Sequence, residues 1–446
     1  MPERGELSSN DPSSSALESV ELGDLAESWR RFDHDLVHHD PGGTDECLVR
    51  SGELVVGDRA YDAVTDRYGR WLDDRRELKD DLRLARLQLR PSERDRVVEI
   101  AAEVASSVGP RGDELLDEER QSTASRASVS ANHVHYGCAA TPPATEWSGN
   151  PIMFGTPIMF GTPIMFGTPI MFGTGSDPER APAMPTPPVE QWENQVNVLV
   201  LDSGLDAHPW FAGRPWFSDW GHSPERLDAD GIDGQDRQAG HGTFVAGVVL
   251  QHAPGAWIRH RRTLSSLGLT DDITVVAGLR RTRHLAAGGN GHVDVVVLAS
   301  GCHTENNECP PLIRREIAKY RNAVVVASAG NFASSRKFWP AALPEVLSVA
   351  ATGPDGALAE FSNRGPWVNA AAPGVDVESS WVRAQTGGRH APDTESREYC
   401  FARWSGTSFA APRVAAEVAR LRNLGESPAD AATLAAAEFQ VPRPPR

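Results

Sequence analysis

The sequence predicts an α/β protein: a doubly wound, mostly parallel sheet with helices on both faces over residues 193–440, preceded by a small α+β module. Two observations carry the larger part. The apolar runs VNVLVL, HVDVVVLAS, NAVVVASA and VLSVAA have strand length and little polar face, as strands covered on both sides require. Between them lie the helix-length runs TFVAGVVLQHA, PPLIRREIAKY and FAAPRVAAEVARL, and strands that alternate with helices imply parallel pairing. A third observation, the order strand, helix, strand, helix, strand within residues 44–137, predicts the smaller module.

In chain order, residues 1–43 are rich in Ser, Asp and Glu and read as a disordered acidic tail with one helix in VELGDLAESWRRFDHDL. In the module, GELVVG reads as a strand, AYDAVTDRYGRWL as a helix, and LRLARLQL, with leucines at 82, 84, 87 and 89, as a second strand. Ser92 and Asp95 form an expected capping box before Val97, Ile100, Ala101 and Val104, which share one helix face. ASVSANHVHYG is the closing strand. Residues 138–192 have neither period and read as linker, and 441–446 as a tail. Within the linker, PIMFGT stands four times without an error at 151–174. A period of six fits neither helix nor half-buried strand, and the copies are too few to bury a core, so the repeat reads as a lengthened tether, with a cleavage site or excised peptide as alternatives.

A formal charge of -17, with acidic residues spread widely, argues against a nucleic-acid or anionic-membrane surface, both of which need a clustered positive face. There is no uninterrupted apolar run of membrane-spanning length, about 18 residues, and MPERGELSSNDPSSS has no apolar signal-like core. The expected location is therefore cytoplasmic, with secretion as the alternative. Without a secretory signal the five cysteines are expected as thiols, a Cys302–Cys309 bridge being the minority reading.

Four short segments of the second half carry chemistry. VLVLDSGLDAHP ends a buried strand at Asp202, and the C-terminal end of a parallel strand is where α/β proteins place reacting groups. GHGTFVAGVV sets His241 between glycines at the start of an apolar helix, so the imidazole can be approached closely. VVVASAGN runs a strand into Gly330 and Asn331, whose amide can donate to developing negative charge. GTSFAAPRVAAEVARL begins a helix at Ser408, where backbone N–H groups and the helix dipole favour an oxyanion. Singly, each is as well explained by a cap or a turn. Together, in the order Asp, His, Asn, Ser, they resemble the active-site blocks of the subtilisin-like serine peptidases over about residues 193–440, with FSNRGPWVNAAAPGVDVES also similar to that family.

The resemblance implies a serine endopeptidase acting on protein or peptide substrates, with no cofactor and no metal in the site. Ser408 would be the nucleophile, His241 the base and then acid, Asp202 the group that orients the imidazole, and Asn331 the oxyanion donor. It also implies that Ala299, Ser300 and Gly301 pair with the substrate backbone, and that residues 327–330, including Ala329 and Gly330, line the primary specificity pocket. Counting back from Trp339 and Pro340 puts Phe338 at the pocket floor, which would make the pocket shallow and favour small residues. Two blocks depart from the family pattern, VVVLASG with Ala299 where Ser is common and GTSFAAP for GTSMASP. Calcium often stabilises subtilisin-like enzymes, but DADGIDGQD, with Asp228, Asp230, Asp233 and Asp236, fails the EF-hand spacing and reads as a solvated acidic loop before a Ca²⁺ loop.

By the same resemblance the 44–137 module corresponds to an intramolecular prodomain, with SANHVHYG as the strand that enters the cleft and residues 138–192 as the segment where maturation cuts. The expected protein is thus a latent serine endopeptidase. A catalytically silent peptide-binding scaffold, and a precursor that releases PIMFGT peptides, are the competing readings.

Overall fold

The computed structural model describes residues 35–108, 128–137, 178–217, 223–228, 235–287, 292–384 and 396–442. The PIMFGT repeat, the helix expected before Asp35 and most of DADGIDGQD lie outside these residues.

The N-terminal part opens with β1 (Leu36–His39), which pairs antiparallel with β2 (Cys47–Gly57). These first residues were expected in the tail; LVHH is too short and too polar to announce a strand, yet Leu36 is buried. α1 (Tyr61–Tyr68) is shorter than the run AYDAVTDRYGRWL suggests, because a 3₁₀ turn at Gly69–Trp71 leads into β3 (Leu72–Lys79). β3, LDDRRELK, escaped the sequence reading: it pairs on one side with β4 (Leu84–Leu89), its side chains are mostly exposed, and it therefore needs no apolar alternation. The capping box does not form. Pro91 starts a 3₁₀ turn at Pro91–Arg96, Ser92 lies inside it and bonds Glu93, and α2 (Val97–Val108) continues from there. β5 (Val129–Gly137) closes this part, and Val49, Leu54, Leu87, Ile100, Val104 and Ala131 are among its core.

The second part begins earlier than expected. β6 (Glu179–Ala181), in the presumed linker, pairs with β16 (Arg397–Trp404), which pairs in turn with β15 (Val377–Ala384). The carbonyls of Pro187 and Pro188 accept from the Arg214 guanidinium, which fastens the following stretch. The central sheet is wholly parallel, in the order β14 (Ala370–Pro373), β13 (Val346–Thr352), β12 (Val324–Ser328), β10 (Val295–Leu298), β7 (Asn197–Asp202), β8 (Trp257–Arg262). Its two faces are read off one strand. Val198 and Val200 point into a core with Phe244 and Val248 of α3 (His241–His252) and Phe409 and Val414 of α6 (Thr407–Asn423). Leu199 and Leu201 point into another with Val276 and Leu279 of α4 (Asp272–Ala287) and Leu312 and Ile313 of α5 (Pro311–Ile317). Alternate residues buried on opposite faces is the doubly wound arrangement that the apolar runs predict. A last helix, α7 (Pro428–Glu438), packs on α6.

The two parts share a strand. The first half of β5 pairs with β2, and its second half runs between β9 (Leu269–Asp271) and β11 (Ser300–Gly301), antiparallel to both. Val55, Leu82 and Leu84 of the N-terminal part also enter the core formed by α4 and α5.

Candidate active site

Asp202 is the last residue of β7, His241 the first of α3, Ser408 the second of α6, and Asn331 follows β12 after Gly330. Strands ending at one edge of a parallel sheet bring these four, separated by up to 206 positions in the chain (408 − 202), to one locus. Asp202 and His241 are in contact: Asp202 Oδ1 lies 2.8 Å from His241 Nδ1 and also accepts from the Ser203 N–H at 2.7 Å. A Cβ on Gly242 would collide with the Gly204 carbonyl, so Gly242 permits the closeness of α3 to the loop after β7. Trp404 and Phe409 pack against the imidazole.

His241 Nε2 is buried and has no hydrogen-bond partner among the described residues. Ser408 Oγ is not on it but donates to the Ala299 carbonyl at 3.0 Å. Asn331 is held by its other end, its Oδ1 accepting from the Thr407 N–H at 3.0 Å and the Thr407 hydroxyl at 2.8 Å. That fixes the amide and leaves Nδ2, also buried, without a partner. A buried donor with nothing to donate to costs about 1–3 kcal/mol, so such atoms are retained where an incoming group supplies the acceptor.

Of the expected substrate-contact residues, Ser300 and Gly301 are already paired, opposite Gly137 and Tyr136 of β5, and the Gly137 N–H donates to the Gly268 carbonyl at 2.9 Å. Phe338 is fully buried. Its ring is close enough to Gly301 to exclude any Cβ there, and it abuts Gly330, so it fills the space between these two residues. Ala329, the residue before Gly330, is buried, its carbonyl accepting from the Asn363 amide at 2.9 Å. Tyr136 lays its ring against Phe332 and Phe338, with centroids 5.2 and 5.7 Å apart.

Two groups went unnoticed in the sequence. Glu225, buried, accepts from the Thr243 N–H at 2.9 Å and the Thr243 hydroxyl at 3.0 Å, in the first turn of α3 just after His241. Burial raises its carboxyl to about 7 against the pull of the Thr243 bond, with the charges of Asp202 and Asp206 adding to the rise. No local motif marks it. The other is a polar cluster at the junction. His133 Nδ1 meets Asp272 Oδ2 at 2.9 Å and His133 Nε2 meets Glu305 Oε2 at 2.7 Å, while His135 Nε2 meets Asp272 Oδ1 at 2.7 Å. Burial alone would lower the His133 imidazole, but Asp272 and Glu305 outweigh it and raise it to about 10. The histidines in HVH, two apart on one strand, face the same side and were the available signal.

Of the five expected thiols, Cys47, Cys302, Cys309 and Cys400 are free and Cys138 lies outside the described residues; burial pushes the Cys302 thiol up. Of the acidic loop, Asp228 and Asp236 are described, and Asp236 accepts from the Ser266 hydroxyl at 2.6 Å. No described helix is long and apolar enough to cross a membrane.

The family model for the Subtilase family matches residues 193–438. The chain is 32% identical over 244 residues to a thermophilic serine proteinase of Bacillus sp. (strain AK1), an alignment covering 52% of this chain and 53% of that one. It is 31% identical over 235 residues to subtilisin-like proteinase Mp1 of Magnaporthiopsis poae, covering 50% of this chain and 52% of the relative. With subtilisin BL of Lederbergia lenta it shares 28% identity over 241 residues, covering 52% and 78%. The matched segment thus spans about half the length of the first two relatives.

Proposed function

Because the chain belongs to the subtilase family, we propose that it is a serine endopeptidase whose triad is Asp202, His241 and Ser408, with Asn331 as oxyanion donor. The observation that carries this reading is the pair of open polar atoms, His241 Nε2 and Asn331 Nδ2, beside a serine at the start of a helix. For reaction, Ser408 Oγ leaves the Ala299 carbonyl for His241 Nε2, gives up its proton there and attacks the peptide carbonyl carbon. The new oxyanion takes hydrogen bonds from Asn331 Nδ2 and the Ser408 N–H. As the intermediate collapses the C–N bond breaks, and His241 returns the proton to the departing amine; water, activated by the same imidazole, then frees the acyl group. Asp202 holds the imidazole through Nδ1 and stabilises its charged form.

We further read the chain as latent while β5 stays in place. A substrate segment recognised by strand addition needs the backbone groups of β9 and β11, and the pairing of β5 with both supports its role as an intramolecular blocker. Phe338 shortens the specificity pocket, so cleavage is expected after small residues; a peptide library cut preferentially after large aromatics would reverse that assignment.

The same strand addition would also suit a scaffold that binds peptides without cutting. Labelling with a fluorophosphonate probe separates the two: modification of Ser408 by mass spectrometry is expected, and no labelling, in the presence or absence of mild denaturant, favours the scaffold. The termini of the mature protein, compared with those of Ser408→Ala, then establish self-processing; identical cuts in both would remove it. A ladder of hexapeptides would favour a precursor of PIMFGT units.

A further inference from the structure

The junction where β5 meets β9 and β11 holds more ligating chemistry than an interface needs. His135 of β5, Asp272 at the start of α4 and Cys302 just after β11 are all buried, and one donor atom from each lies within 4.8 Å of the others. His135 Nε2 is shared between Asp272 Oδ1 at 2.7 Å and Cys302 Sγ at 3.5 Å. The other ring nitrogen, Nδ1, points away from these two ligands and has no hydrogen-bond partner among the described residues, so Nε2 is the nitrogen that faces the cluster.

We propose that His135, Asp272 and Cys302 form a binding site for one Zn²⁺ ion that joins the N-terminal part to the peptidase part. The donor set selects the metal: a thiolate with an imidazole and one carboxylate suits zinc, whereas Ca²⁺ and Mg²⁺ call for oxygen alone. The dimensions agree. Tetrahedral bonds of zinc's usual lengths put a nitrogen and a sulfur ligand about 3.6 Å apart and a nitrogen and an oxygen about 3.4 Å apart. The Nε2 to Sγ separation of 3.5 Å already has the first value. The Nε2 to Oδ1 hydrogen bond, 2.7 Å, must open by roughly 0.7 Å to admit the ion, which is within the reach of a carboxylate rotation.

The surroundings are those of a metal site as well. Asp272 is oriented through its second oxygen, which accepts from the His133 N–H at 3.0 Å and faces His133 Nδ1 at 2.9 Å, and Glu305 secures the far side of that ring at 2.7 Å. Such outer partners fix the direction of a ligating carboxylate. A cavity of about 310 Å³ lies beside these outer partners, lined by His133, Glu305, Cys309 and Trp339. On binding, the Cys302 thiol releases its proton to solvent and His135 ligates as the neutral imidazole with its proton on Nδ1.

The test uses the full chain with Ser408→Ala, so that it stays uncut, stripped with a chelator and titrated with Zn²⁺ and then with Co²⁺. One equivalent of Zn²⁺ is expected, and Co²⁺ in its place should give the intense thiolate-to-cobalt charge-transfer absorption. Cys302→Ser should abolish that absorption and weaken Zn²⁺ binding by at least tenfold, while Cys47→Ser should leave both unchanged. A Co²⁺-loaded protein without thiolate absorption overturns the site, and this measurement needs no cysteine variant to fold. Zn²⁺ bound without that signature, or a signature that survives Cys302→Ser, overturns it equally. None of these outcomes depends on whether the chain cuts peptides.

Discussion

The two buried polar centres of this molecule are built in opposite ways. Beside the ends of β7 and β12, His241 Nε2 and Asn331 Nδ2 are buried and have no hydrogen-bond partner among the described residues. At the junction, each carboxylate oxygen of Asp272 meets an imidazole, and Glu305 faces the other nitrogen of His133. The first centre leaves a ring nitrogen and an amide donor open; the second commits its carboxylates to holding two parts of one chain together while leaving His135 Nδ1 open. Rigidity serves both, through the Thr407 bonds to Asn331 in one and the His133 bonds to Asp272 in the other.

That contrast can be broken at either end. The largest effect is expected at the junction. Tyr136→Ala removes a ring buried between Phe332 and Phe338, and deleting a buried aromatic costs about 3–5 kcal/mol. Urea denaturation of the chain carrying Ser408→Ala should register this loss; an unchanged midpoint would mean that the second half of β5 contributes little to the hold. Next comes Asn331→Ala, for which kcat should fall by about 10²–10³ with KM nearly constant, the scale measured when such a donor is removed from a subtilisin. A change carried mainly by KM would instead make Asn331 a binding group.

The smallest effect separates the two centres by pH. The Glu225 carboxyl keeps its proton to about 7 in the folded chain, above its ordinary value of 4.5. An acid raised in this way favours the folded state at low pH, and that advantage drains as pH climbs from 4.5 to about 7, then stays level. Converted at 1.36 kcal/mol per pH unit, the loss is at most about 3 kcal/mol. Stability measured at pH 5 and pH 8 should therefore fall less in Glu225→Gln than in the parent. Equal falls would show that Glu225 is charged throughout. The groups facing it are Thr243, Ser203, Asp202 and Asp206, with Arg397 bound to its backbone carbonyl at 2.8 Å.

Most of the part from residue 193 onward was legible because its elements are long, apolar and locally decisive. VNVLVL cannot face water on either side, and GHG and GTS sit where a helix must begin. What escaped lacks local signal. β3 is a one-sided edge strand of charged residues, and β9 and β11 have three and two residues, too short for any period. The link between His133 and Asp272 spans 139 positions, and Glu225 is defined by the turn of α3 above it; neither can be inferred from neighbours in sequence. The linker was overdrawn for the opposite reason. Proline-rich 178–192 has the composition of a tether but is fastened by Arg214 and by β6.

On the proposed reading, the strand shared by the two parts separates cutting from release. If the chain is severed within residues 138–177, β5 remains seated by its pairing with β9 and β11, by Tyr136 and by His133 and His135. On the proposed reading, while the chain is whole β5 faces its groove at the effective concentration that a covalent tether imposes, which falls as the tether lengthens. Once cut, it becomes an ordinary ligand whose departure is governed by its off-rate and whose return is governed by dilution. Onset of activity in a dilute sample would then lag behind the appearance of the cut, and the lag would report the lifetime of one strand in one groove.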